Sequence, residues 1–239
     1  MQEPFDTTEN TANAAWSRLL QGNRRFAEGQ AEHPWQDRET RERLTNGQHP
    51  DVAVLACADS RVPPEIIFDQ GLGDMFTIRT AGQVIDDAVI ASLEYAIEHL
   101  GVRLVVVLGH EGCGAVKAAV DGIAELADRF DDCDCFDLPE GMGEDEAVAA
   151  HARLHADHLE ELLAEQDSPI VREVGASVHA AMDDDLDEAE DFERAHVART
   201  IELLIDRSDV VRRALAEERM MIAGARYLLT TSLVEVLSF

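Results

Sequence analysis

The sequence predicts an α/β fold, a mostly parallel central sheet flanked by helices. Two observations carry this. Val52-Ala53-Val54-Leu55-Ala56 and Leu104-Val105-Val106-Val107-Leu108 are short, unbroken apolar runs rich in β-branched residues, the pattern of strands buried on both faces. Segments with helical periodicity lie between and after them, and strand–helix–strand alternation favours a parallel sheet. The 239 residues, 46% hydrophobic, suffice for one sizeable domain.

The elements follow in order. Residues 10–29 place Trp16, Leu19, Leu20 and Phe26 on one apolar face of a helix. Residues 35–47, rich in Arg and Glu, predict a second, more polar helix, so that 1–50 form an N-terminal helical arm. A strand then ends at Cys57. Pro63-Pro64 breaks the chain, and Pro64-Glu65-Ile66-Ile67 starts a short helix. Met75 to Ile78 reads as a strand. Asp86-Asp87 suits a helix N-terminus, followed by a wide apolar face of Val89, Ile90, Leu93, Ala96, Ile97 and Leu100, with Gly101 as the stop. The Leu104–Leu108 strand leads through a Gly-rich turn into a helix from about Cys113 to Leu126. Residues 127–195, with runs such as Asp183-Asp184-Asp185, predict an acidic helical excursion with no second core. Helices resume over 196–205 and about 209–217, and 220–223 reads as a strand. A single domain spanning 1–239 is the expected organisation.

Charge narrows the function classes. Twenty Lys+Arg against 49 Asp+Glu give a net charge of −29, and Lys117 is the sole lysine. Binding nucleic acid or an anionic membrane needs clustered cations, so neither partner is expected. No stretch is long and apolar enough to cross a bilayer. The first residues lack the basic start and apolar core of a signal peptide, which predicts a cytoplasmic protein. Acid spread over the whole chain with lysine almost absent fits the cytosol of a salt-accumulating halophile, where molar salt screens self-repulsion. An ordinary acidic enzyme is the alternative.

The chemistry lies in Cys57-Ala58-Asp59-Ser60-Arg61 and His110-Glu111-Gly112-Cys113. Cys57, His110 and Cys113 supply two thiols and an imidazole, a three-ligand zinc set that leaves the fourth position open, as catalytic zinc requires. Each half sits at the end of a predicted strand, and ligands bind beyond the carboxyl ends of strands in open α/β sheets. A carboxylate at Asp59 could itself close such a site. Pairing it in bidentate fashion with Arg61 would hold it off the metal. Cys133 and Cys135 lack two further ligands at zinc spacing and are expected to be inert. His151, His155 and His158 share one helix face, expected to be a solvated face in preference to a proton relay or metal site.

These motifs resemble the β-class carbonic anhydrases, whose signature pairs Cys-x-Asp-Ser-Arg with His-x-x-Cys. The likeness continues through Ile66–Phe76, Arg79-Thr80-Ala81-Gly82 and Ser92–Ala96, with a weaker echo at Ile222–Tyr227. It implies one Zn2+ per chain and reversible hydration of CO2 to bicarbonate by attack of zinc-bound hydroxide. Asp59 and Arg61 match the family's gating dyad. Gln48, Phe76 and Tyr95 match substrate-pocket positions of the plant-like branch, where they reach the zinc from the partner subunit. A homodimer or dimer of dimers is therefore implied. Val54 stands where bicarbonate-regulated members carry Trp, so that regulation is not expected. Ala58 replaces a frequent Ser, and Glu111 is expected to face solvent. The competing functions are a carbon disulfide or carbonyl sulfide hydrolase on the same fold, and a non-catalytic zinc-binding scaffold.

Overall fold

The computed structural model describes residues 11–131, 159 and 161–238. They fall into two compact units, one made of 1–111 with 197–239 and the other of 112–196. Cys133, Cys135, His151, His155 and His158 lie outside the described residues.

The first unit is built on a five-stranded sheet. Its strands are β1 (Val52–Cys57), β2 (Met75–Thr80), β3 (Leu104–His110), β4 (Met221–Tyr227) and β5 (Val234–Ser238), in spatial order β2-β1-β3-β4-β5. The first four are mutually parallel and only β5 runs antiparallel. Every residue of β1 and β3 is buried, which is why both segments run apolar without alternation up to their terminal Cys57 and His110. The strand expected at Met75–Ile78 continues to Thr80, and the one expected at 220–223 continues to Tyr227. Strand β5, which the sequence did not announce, is short and its residues are only half-buried or exposed.

Helices cover the sheet. Helix α1 (Ala12–Ala27) starts at Thr11, whose hydroxyl accepts the Ala14 N–H at 3.1 Å. Its Trp16 and Leu19 are buried, and Trp16 meets Phe68 edge-on at 6.3 Å. Gly22 allows a close approach there: a Cβ on it would fall 1.8 Å from the Phe68 carbonyl oxygen. Helix α2 (Arg38–Leu44) is capped by Asp37 and buries little besides Thr40. Helix α3 (Pro64–Ile67) begins at the expected proline. Helix α4 (Asp87–Glu98) is capped by Asp86, which accepts the Val89 N–H at 2.8 Å. Its Val89, Leu93, Ala96 and Ile97 join Ala53, Leu55, Val105 and Val107 of the sheet in one buried cluster.

The second unit is helical in its described residues. It holds α5 (Gly114–Asp131), a turn of helix at 161–164, α6 (Pro169–Asp183) and the start of α7 (Ala189–Arg207). Here the structure departs from the expectation of a solvated excursion. Leu163, Val174, Val178, Ala181 and Phe192 are buried. Small residues permit the packing: a Cβ on Gly122 would meet Val171 at 3.0 Å, and one on Gly175 would meet Leu163 at 2.9 Å. Acidic runs hide this core in the sequence, because apolar residues at helical spacing are diluted by solvated carboxylates. The chain re-enters the first unit at Val197 within α7, and helix α8 (Asp209–Ala216) adds Val211 and Ala214 to its core. No helix among the described residues is long and apolar enough to cross a membrane.

Candidate metal centre

Cys57 is the last residue of β1 and His110 the last of β3. These strands are neighbours, with Ala56 opposite Leu108. The sheet alone therefore brings the thiol and the imidazole to one edge, at the carboxyl ends of the strands. Cys113 follows His110 by three residues, across a turn in which Gly112 has φ +62°. The turn itself carries its sulfur back. The ligand atoms of Cys57, His110 and Cys113 all lie within 4.8 Å of one another, and all three residues are buried. Both cysteines are free thiols.

The donor chemistry fits zinc. The His110 Nδ1 lies 2.9 Å from the Glu111 carbonyl oxygen. A carbonyl can only accept, so Nδ1 carries the proton and Nε2 keeps its lone pair. That Nε2 is buried and makes no hydrogen bond, which leaves a polar atom needing a partner. Burial disfavours a charged His110, yet the Cys57 sulfur, the Glu111 carbonyl and the Asp59 carboxylate outweigh it and raise the imidazole pKa. Two sulfurs and one nitrogen match the preference of zinc and leave one coordination position.

Asp59 and Arg61 pair as expected. Arg61 Nε donates to Asp59 Oδ1 at 2.9 Å, Nη2 donates to Oδ2 at 2.6 Å, and the Arg61 backbone N–H also donates to Oδ1 at 2.9 Å. Hydrogen bonds from the Arg61 side chain are the main reason the Asp59 carboxyl sits far below the usual carboxylate range, despite partial burial. It is an anion that only accepts. Asp59 is not a member of the three-donor cluster.

Several residues that sequence reasoning missed support this arrangement. Arg79 donates from Nε to the Cys57 carbonyl at 3.0 Å and from Nη2 to the Asp59 carbonyl at 2.6 Å, clamping the loop. The Cys57 sulfur accepts backbone N–H groups from Asp59 at 3.4 Å and Gly82 at 3.3 Å. Glu193 Oε1 accepts the Cys113 N–H at 3.3 Å. Glu111, expected to face solvent, does border it but also carries a tertiary contact. It is half-buried, and its Oε2 accepts the Thr230 N–H at 2.8 Å. That bond chiefly lowers its pKa. Arg79 and Gly82 lie inside a segment that carries the family likeness, but partners 20 or more residues away leave no periodic signal.

The remaining three positions lie elsewhere in the chain. Gln48 is exposed in the loop before β1, at the strand end opposite Cys57. Phe76 pairs with Ala53, four residues short of the Cys57–Thr80 pair, about 13 Å along the strand. It packs against the core under α4. Its ring lies 6.3 Å from Tyr95, which is 48% exposed on α4. One chain does not bring Gln48, Phe76 or Tyr95 to its own three donors.

Comparison with known proteins agrees with this chemistry. The family model described as carbonic anhydrase matches residues 52–132, the stretch from β1 into α5 that holds all three donors and the dyad. Carbonic anhydrase 2 of Mycobacterium tuberculosis is 40% identical over 214 residues, 90% of this chain and 87% of that protein. A carbonic anhydrase of Mycolicibacterium smegmatis is 40% identical over 225 residues, 94% and 93% of the two chains. Among solved structures, a tetrameric β-carbonic anhydrase of Sordaria macrospora shares the fold with a TM-score of 0.55 at 23% identity, covering 93% of this chain and 96% of its own. The β-carbonic anhydrase CafA of Aspergillus fumigatus gives 0.55 at 26% identity, with 93% and 90% covered. A parallel sheet that sets two thiols, an imidazole and an arginine-locked aspartate at one edge, with relatives this similar over nearly the whole length, places the chain in the β-class carbonic anhydrase family.

Proposed function

We propose that the chain hydrates CO2 reversibly to bicarbonate and a proton at the Cys57, His110 and Cys113 centre, with Asp59 orienting the attacking water. The observation that carries this is the locked dyad beside a three-donor cluster. Those three donors would hold zinc, which when bound would supply a water whose pKa is lowered from 15.7 to about 7. Asp59, deprotonated and pinned by Arg61, accepts the remaining hydrogen of the nucleophile. A lone pair is then left to face the carbon of CO2. Arg61 prevents Asp59 from turning to fill the open position itself, and Arg79 keeps the intervening loop still.

The finer reading is a plant-like enzyme that works as a homodimer or dimer of dimers. Gln48, Phe76 and Tyr95 lie at the other end of their own sheet, and the family resemblance assigns them to the partner's pocket. There the Phe76 and Tyr95 rings would supply apolar walls suited to CO2 and the Gln48 amide a contact to bound oxygen. The tetrameric state of the Sordaria relative is consistent with such pairing. Val54, fully buried in β1, supports an enzyme without the bicarbonate switch. The charge of −29 with a single lysine supports a cytoplasmic protein of a high-salt cell.

The test is stopped-flow CO2 hydration by zinc-loaded protein in high potassium chloride, beside the same protein with Asp59→Asn. Rapid zinc-dependent hydration that collapses in the variant is the expected result. Absence of hydration in zinc-loaded wild type, or preferential turnover of carbon disulfide, would overturn the proposal.

A further inference from the structure

The loop after β2 carries an unusual residue. Gly82 has φ +62° and ψ +26°, and Gln83 follows it with φ +45°. Two successive residues thus occupy the left-handed region. Glycine does so freely, whereas glutamine pays a steric cost there. Gln83 is also 1% exposed, and its side-chain Oε1 is buried without a hydrogen bond. Backbone strain and an orphaned amide oxygen meet at one position, and strain of this kind collects at functional sites.

Its surroundings say what the strain holds. The left-handed pair reverses the chain so that Val84 returns to Thr80, whose hydroxyl donates to the Val84 carbonyl at 2.8 Å. Thr80 lies opposite Cys57 in the sheet, and its carbonyl accepts the Ala58 N–H at 2.8 Å. Within this closed loop the Gly82 N–H points at the Cys57 sulfur, 3.3 Å away. On its other side Gln83 lies against Gly109, the residue before His110. A Cβ there would come within 3.5 Å of Gln83 Nε2 and 2.6 Å of Val197.

We propose that Gln83 is a positioning residue that tunes the metal through Cys57. Its left-handed backbone fixes the Gly82 N–H on the sulfur. An N–H donor withdraws electron density from a thiolate, so Cys57 gives less charge to the metal. A less neutralised metal is the stronger acid toward its water. With two sulfur donors, the site otherwise tends toward a water too basic to ionise at neutral pH. The Gly82 N–H offsets that tendency. The inference rests on Cys57 being a metal ligand, as proposed above.

The test separates backbone conformation from side chain. Gln83→Val introduces a β-branch that disfavours positive φ, Gln83→Ala a milder version of the same penalty, and Gln83→Gly keeps the loop conformation while deleting the amide. Cobalt(II) substituted for zinc reports sulfur donation through its thiolate-to-metal charge-transfer absorption. In Gln83→Val that band moves to lower energy, and the midpoint of the hydration rate against pH rises by roughly half a unit or more. Gln83→Ala moves both less in the same direction, and Gln83→Gly keeps the wild-type band. If all three variants lose thermal stability while band and midpoint stay fixed, Gln83 is merely structural and the proposal fails. Equal shifts in all three also overturn it, since conformation is then not the lever. A wild-type cobalt protein with no thiolate band removes Cys57 as a ligand, and with it the reading beneath this one.

Discussion

Replacing Arg61 with alanine tests the gate at its weakest joint. The substitution removes the donors at 2.9 and 2.6 Å and leaves the backbone N–H at 2.9 Å. Hydrogen bonds to charged groups contribute about 1.5–3 kcal/mol each when sheltered. The Arg61 side chain is 52% exposed, however, and exposed ion pairs contribute about 0.2–1 kcal/mol. The side-chain fork therefore restrains Asp59 by about 1–2 kcal/mol, a factor of roughly 5–30 in population. Arg61→Ala lowers kcat/KM for CO2 hydration by about 5- to 30-fold while zinc stays at one per chain. X-ray absorption of the variant gains a carboxylate oxygen. Lysine at 61 rescues in part, because an ammonium is a point charge without the fork. The pH dependence has a definite sign. Arg61 depresses the Asp59 pKa in the folded state, so its stabilisation is complete above the unfolded value of about 3.9 and fades as pH falls through the lower folded value. The stability gap between wild type and Arg61→Ala is therefore widest at neutral pH and closes in acid. An Arg61→Ala enzyme with more than half the wild-type kcat/KM would refute the reasoning.

Three other outcomes follow from the same geometry and charge. X-ray absorption of zinc-loaded wild type shows two sulfur and two lighter neighbours, and Cys57→Ser leaves one sulfur; four sulfurs would exclude the centre described. Bicarbonate inhibits without cooperativity, as Val54 predicts, and a sigmoidal loss of rate with bicarbonate would assign the chain to the regulated branch. Hydration rate and light-scattering mass fall together when potassium chloride is lowered from 1 M to 0.1 M, because the screening length grows from about 3 to about 10 Å around a chain of charge −29. A fully active dimer in dilute buffer contradicts the high-salt reading, and an active monomer contradicts a shared pocket.

What the sequence discloses and what it hides have physical causes. Strands β1 and β3 are legible because burial on both faces removes every polar residue ahead of their terminal Cys57 and His110. Helix α4 is legible through its Asp86 cap and apolar face. Strand β5 is not, since an exposed edge places no strong demand on composition. Strand order is likewise silent: no local pattern says that β1 lies between β2 and β3. At the metal centre the three donors and the dyad are chemical types at telling spacing. Glu111 and Arg79 act on backbone groups 119 and 20 or more residues away, and a backbone donor or acceptor leaves no mark on the residue that owns it. Gln83 escapes for another reason, because a left-handed conformation at a residue other than glycine is invisible until the chain is folded.

The adjacency of β1 and β3 also bears on when the protein can take up its metal. Cys57 and His110 terminate paired strands whose side chains are already enclosed, and Cys113 is tethered to His110 by one short turn. The conformational entropy of gathering the donors is thus met by sheet formation, not by the ion. Small zinc domains, by contrast, cannot assemble until the cation arrives. A polypeptide of this design can finish folding on the ribosome's schedule and wait empty for a delivery that comes later. Chelation should then yield a compact, reloadable shell instead of an unfolded chain, so zinc supply in the cell could govern how much enzyme is switched on without governing how much survives.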